Sequence, residues 1–110
     1  MSELAPEDEK IVILARSARA RTQAAEGAAV RDTDGRTYAA VTVALPSLRI
    51  TALQAAIAAA VSSGAEGLEA AAVVTDGVVD EASVRAVRDL AASAPIFRAD
   101  AKGAVQEVLR

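Results

Sequence analysis

A chain of 110 residues holds one domain with room for one core, and at 53% hydrophobic and 25% charged it is no disordered segment. It contains neither cysteine nor histidine, which excludes disulfides, thiolate chemistry, an imidazole base and both soft zinc ligands. Twelve basic against fifteen acidic side chains leave a net charge of −3, so wholesale attraction to nucleic acid is not expected.

The first ten residues, MSELAPEDEK, are polar and acidic, unlike a signal peptide, and no apolar run approaches a membrane span. A cytoplasmic protein with no membrane contact is expected, and the preference for Ala, Val and Arg over Lys suggests a GC-rich bacterial genome. Residues 1–8 read as a loose start to one domain covering 1–110. Pro6 nevertheless suits a first helical turn, and Glu7, Asp8 and Glu9 suit the positive end of a helix. Ile11, Leu14, Ala15, Ala18 and Ala25 then form a helical stripe, with Arg16, Arg19 and Arg21 on other faces.

At GAAVRDTDGRTYAAVTVAL the period changes. Residues 29–33 and 37–43 read as two strands around TDGR, because Asp-Gly is a strong hairpin signal, and Pro46 should end the pairing. Thr51-x-x-Gln54 is a capping-box pattern opening an Ala-rich helix that runs to about Ser63, with Gly64 as its left-handed cap. A helix apolar nearly all round must have neighbours on more than one side, so this one should be central. EAAAVVTDG reads as a buried strand. Asp80 or Ser83 opens the next helix, with Val84, Val87, Leu90 and Ala91 inward. APIFRAD is another short strand, and AKGAVQEVLR should close the chain as a turn or short helix. Strand–helix–strand alternation in the second half calls for right-handed crossovers to parallel strands.

This order and several specific residues resemble the cytidine deaminase family, over residues from about 10 to 105. EGAAVRDTDGRTYAAVTV is similar to the family hairpin, where V-G-A-A-L leads through a D-G turn to G-V-N-V-E-N. ITALQAAIAAAVSSGAEGLEAAAVV is similar to T-x-C-A-E-R-x-A-I-x-x-A-V-S-x-G followed by a strand reading A-I-A-V-V. Thr51, Ala56, Ile57, Val61, Ser62 and Gly64 form the collinear set that carries the likeness. The resemblance implies a three-layer α/β/α sandwich on a mixed five-stranded sheet, an edge hairpin plus parallel strands. It also implies a dimer or tetramer, and Ala55, Ala56, Ala59 and Ala60 are small enough for two copies of the helix to meet.

In the family the C-A-E segment places a zinc ligand and the catalytic glutamate at the start of the central helix; here it reads Leu53, Gln54, Ala55. A leucine has no lone pair for zinc, and an alanine cannot shuttle protons. The second ligand pair, from P-C-x-x-C, falls near Glu81 and Val84. The N-V-E that would bind ribose appears as Thr42, Val43, Ala44, and the aromatic that would stack on the base falls at Ala24. With metal ligands, base, ribose grip and stacking face all replaced, no cofactor is expected, and a pseudoenzyme acting as a structural or binding partner is. A nucleoside-binding sensor or a zinc-free enzyme is the alternative. The emptied pocket should close, with Leu53, Ala55 and Val84 packed together. Gln54 suits a cap better than a site, and Glu81 a dipole partner better than a ligand. Arg16, Arg19 and Arg21, with Lys10 and Arg31, form either a solvated face or a basic surface for RNA or an acidic protein. The resemblance also makes a ribosome-assembly GTPase, or ribosomal RNA, a candidate partner that no residue here demonstrates.

Overall fold

The computed structural model describes residues 4–110. Helix α1 (Pro6–Thr22) is followed by strands β1 (Gly27–Asp32) and β2 (Thr37–Val41), a small hairpin of β3 (Val43–Leu45) and β4 (Leu48–Ile50), and helix α2 (Ala52–Ser62). Strand β5 (Leu68–Val74), helix α3 (Glu81–Leu90) and strands β6 (Ile96–Ala99) and β7 (Val105–Leu109) complete the order. Five strands form one sheet in the order β2-β1-β5-β6-β7; β5 and β6 are parallel and the other neighbours antiparallel.

Strand periodicity divides the core into two layers. Ala28, Val30, Ala71, Val73 and Ile96 face Leu53, Ala56 and Ala60 of α2 and Val87 of α3. Their immediate neighbours Ala29, Ala70, Ala72, Val74 and Phe97 face Ile11, Val12 and Ala15 of α1. The sheet is thus covered on both sides, as the expected sandwich requires. So many alanines bring helix and sheet close together, most tightly at Gly27. A Cβ there would collide with the carbonyl oxygen of Ala15 and lie 2.8 Å from Cβ of Arg19.

Several expectations need correction. Pro6, Glu7 and Asp8 belong to α1, and Asp8 is fixed by Arg31 at 2.9 Å; of the expected loose start, residues 1–3 lie outside the described residues. The buried stripe of α1 is Ile11, Val12, Ala15 and Ala18, whereas Ala25 lies beyond the helix and is exposed. Pro46 does not end the pairing but sits at the turn of β3–β4. The last segment is neither a turn alone nor a helix. It is β7, antiparallel to β6, because Asp100 and Gly103 build a hairpin whose Oδ1 acceptor takes N–H donors from Lys102 and Ala104 at 2.9 and 3.0 Å.

The β1–β2 turn contains a buried carboxylate. Asp32 is 1% exposed, and its Oδ1 accepts from the N–H groups of Asp34 and Arg36, both at 2.9 Å, while Oδ2 accepts from the Tyr38 hydroxyl at 2.8 Å. Burial alone would raise its pKa. The donors from Arg36, Tyr38 and Asp34, with the Arg36 charge, outweigh burial and hold it below the ordinary 3.8. A depressed folded-state pKa means that the ionised carboxylate stabilises the fold fully above pH 4 and loses that effect as pH falls through the folded-state value. Asp32→Ala should lower the melting temperature by roughly 10 °C at pH 7, since three donors lose their acceptor. The gap between variant and parent should narrow below pH 4; scanning calorimetry showing a gap independent of pH would contradict this account.

Candidate functional site

The starts of α2 and α3 converge. Thr51 caps α2: its Oγ1 accepts from the Gln54 N–H at 3.1 Å, and the Gln54 amide oxygen accepts from the Thr51 N–H at 2.9 Å. Asp80 caps α3 by accepting from the Ala82 N–H at 2.9 Å. Between the two, the Ser83 hydroxyl, 2% exposed, donates to Thr51 Oγ1 at 2.6 Å. An orphan donor of each helix start, the Gln54 and the Ala82 N–H, is therefore met by one of the chain's own side chains. Gln54 is a cap, as its spacing suggested.

The sequence-predicted site residues lie around this joint. Leu53 has no exposed surface and belongs to the α2-side core. Ala55 is half-buried, and Val84 packs half-buried against the same core. Glu81 is exposed and accepts from Arg85 at 2.8 Å, one helical turn on. The Thr42 hydroxyl is engaged within the chain: it accepts from the Glu26 N–H at 3.1 Å and donates to the Glu26 carbonyl at 3.5 Å. Ala24 is half-buried and Ala44 exposed.

Next to the joint lies an open cleft of about 780 Å³. Its walls are Ala25 and Glu26, Thr42 to Ala44, Arg49 to Thr51 with Gln54, and the β5–α3 loop from Thr75 to Val78 with Asp80 and Ala82. The expected closure concerned Leu53, Ala55 and Val84, and of these Leu53 is fully buried and Val84 packs against the same core. Leu53, Ala55, Glu81 and Val84 are not among the residues that line the cleft. Two wall elements were missed from sequence. The β3–β4 hairpin was legible in the apolar pairs flanking Pro46-Ser47. The Thr75 loop was legible in Thr-Asp-Gly, where the Thr75 hydroxyl accepts from the Gly77 N–H at 3.2 Å. Asp76 of that loop binds Arg19 at 2.8 Å, and this hydrogen bond and the Arg19 charge hold its carboxyl below the ordinary value.

The arginines read as either a solvated face or a basic surface are mostly engaged within the chain. Arg16 donates to the Ala101 carbonyl at 3.2 Å and Arg19 to Asp76. Arg31 bridges Asp8, Glu69 and the Glu7 carbonyl, joining α1, β1 and β5. Arg21 and Lys10 are exposed. Of the four alanines expected at an interface, Ala56 and Ala60 have no exposed surface and belong to the core, while Ala55 and Ala59 are half-buried. The outward side of α2 instead shows Ala58 and Val61, the latter 51% exposed.

A two-helix junction beside a cleft, on a sheet of order β2-β1-β5-β6-β7, defines the class of α/β/α sandwich. The model of the family described as cytidine deaminase-like matches residues 4–103, and the chain belongs to that family. A cytidine deaminase from Burkholderia pseudomallei is similar in structure, with a TM-score of 0.80 at 22% identity over 99% of this chain and 92% of that one. A cytidine deaminase from Mycobacterium leprae gives 0.70 at 21% identity over 89% and 90%. At such identities the likeness speaks for the fold. Among curated proteins none matches in sequence.

The zinc that the resemblance implies does not fit the residues present. Leu53, Glu81 and Val84 offer two hydrocarbon side chains and one carboxylate already paired with Arg85. Among the described residues no three His, Cys, Asp or Glu side chains converge to hold a metal ion. No helix among them is long and apolar enough to cross a membrane.

Proposed function

We propose that this chain is a catalytically inactive member of the cytidine deaminase-like family, a pseudoenzyme that acts as a structural or binding partner and self-associates. The observation that carries this is Leu53. At the position matched to a metal ligand it is a fully buried core residue, while Thr51 and Gln54 beside it are committed to capping. Ala55, matched to the catalytic glutamate, has no group to move a proton. Self-association is supported by the charge-free outward side of α2, where Ala58 and Val61 are exposed. The engagement of Arg16, Arg19 and Arg31 within the chain weighs against RNA and against a broad acidic partner.

The purified protein should contain no stoichiometric zinc by elemental analysis and should not deaminate cytidine or deoxycytidine. About one zinc per chain together with turnover above a protein-free blank would overturn the proposal. The open cleft favours one second reading, a sensor that binds a small ligand without reacting it. Thermal shift against nucleosides and bases separates the two. No stabilisation is expected, because the Thr42 hydroxyl is taken up by Glu26 and no aromatic side chain lines the cleft. A saturable rise in melting temperature with one pyrimidine nucleoside would establish the sensor.

A further inference from the structure

Arg19 lies outside the cleft, yet it bonds to segments that form its walls. It stands in the last turn of α1, on the face of the sheet opposite α2 and α3, and is not among the lining residues. Its Nη2 donates to Asp76 Oδ2 at 2.8 Å and its Nε to the Ala24 carbonyl at 3.4 Å. Asp76 belongs to the β5–α3 wall, and Ala24 leads directly into the wall residues Ala25 and Glu26. Glu26 in turn bonds the backbone and the side chain of Thr42, at the root of the β3–β4 hairpin. One guanidinium therefore ties the walls together from the far side of the sheet. Arg19 is itself fixed: its side chain is 18% exposed, and a Cβ on Gly27 would lie 2.8 Å from its Cβ and 2.9 Å from its N.

The β5–α3 wall has little else to hold it. Thr75 is anchored by its N–H, which donates to the Ala99 carbonyl at 3.1 Å, while Val79 packs on the α2-side core and Asp80 caps α3. Between these anchors stand Asp76, Gly77 and Val78. Among the described residues their hydrogen bonds are the one from Arg19 to Asp76 and the local one from the Gly77 N–H to Thr75 Oγ1. A Cβ added at Gly77 would meet nothing within 4 Å, so the segment has room to turn. Val78 lines the cleft yet is 81% exposed, more than any other large apolar side chain described. Val43 and Ile50, both half-buried in the cleft lining, offer the apolar surface that this side chain lacks.

We propose that residues 76–78 form a flap over the cleft and that the Arg19–Asp76 ion pair is the latch that holds it open. With the latch released, the chain turns at Gly77, Val78 moves onto Val43 and Ile50, and the mouth of the cleft narrows. Burial of the valine favours the closed form and the ion pair favours the open one. A partly exposed ion pair and the partial burial of one valine are of similar weight, so neither form dominates by a wide margin. Whatever engages Arg19 or Asp76, or fills the cleft, shifts that balance by its differential affinity for the two forms.

The chain contains no cysteine, so an introduced pair reports the flap without interference. Val78→Cys with Ala44→Cys places one thiol on the flap and one on the hairpin wall, both at exposed positions. Equilibration with reduced and oxidised glutathione gives the effective concentration of one thiol at the other, which rises with the closed fraction. Adding Asp76→Ala to the pair should raise it roughly fivefold, the weight of one partly exposed ion pair. Arg19→Met, which keeps the unbranched stem over Gly27, should raise it by a similar factor. In about 1 M salt, where the screening length is about 3 Å, the pair with Arg19 and Asp76 intact should rise in the same direction, and the two variants should not. The two substitutions change the charge around the flap thiol in opposite senses, so altered thiol reactivity alone would move them apart. A rise in both variants supports the latch. A rise in one alone, shifts of opposite sign, no change in either, indifference of the intact pair to salt, or no disulfide in any background would each overturn it.

Discussion

Gly27→Ala should destabilise the protein by roughly 3 kcal/mol, the upper part of the range for overpacking, which is a fall of about 15 °C in melting temperature. The added methyl would meet the carbonyl oxygen of Ala15 and, at 2.8 and 2.9 Å, the Cβ and N of Arg19. All three belong to the α1 scaffold, so no flexible side-chain end is available to move aside. Relief requires α1 to withdraw from β1. That in turn loosens the contacts of Ile11, Val12 and Ala15 with Ala29, Ala72 and Val74. Urea denaturation reads the change; a loss below about 1 kcal/mol would show that the helix sits less tightly than the geometry states.

Leu53→Ala should cost roughly 3–5 kcal/mol, since a fully buried leucine loses both its transfer free energy and its packing partners. Leu53→Met, which conserves volume, should cost less than about 1.5 kcal/mol. The contrast bears on the functional assignment. Were Leu53 the lining of a surviving ligand site, truncation would enlarge an open cleft and cost little. The same pair of variants, followed by chemical denaturation, therefore reads whether this position has become core. A small effect of Leu53→Ala would favour the sensor.

Local chemistry made much of this fold legible. The Thr51/Gln54 box, the Asp-Gly turn and the left-handed Gly64 each act over a few residues, and all three are found where the spacing placed them. What the sequence concealed depends on partners distant in the chain. Residues 105–109 have a helix-compatible composition, and only pairing with β6 makes them a strand. A signal was nonetheless present. Asp32-x-x-Gly35 and Asp100-x-x-Gly103 are the same device, each with an Oδ1 accepting two N–H groups and a glycine at φ 85. The first was recognised by its Asp-Gly dipeptide, the second lacked one. Burial of Asp32 was hidden because a carboxylate in a turn ordinarily faces water. Among the helix alanines, composition could not say which face meets the sheet, so Ala56 and Ala60 looked no different from Ala55 and Ala59. Which residues stand where the resemblance matches the family's motifs, Leu53, Ala55, Glu81 and Val84, was legible because these are identities, not geometries. The open cleft was not, since it depends on how the β3–β4 hairpin and the Thr75 loop stand apart.

The 2.6 Å bond from Ser83 to Thr51 has a consequence for how this fold answers to its surroundings. It fastens the beginnings of two helices that are 32 residues apart in sequence with atoms the chain already owns. An ion recruited to such a junction would enter the folding equilibrium by mass action, and its supply would set the folded fraction. A hydroxyl pair carries no such dependence. What this one bond contributes at the junction is therefore the same whatever the supply of trace elements.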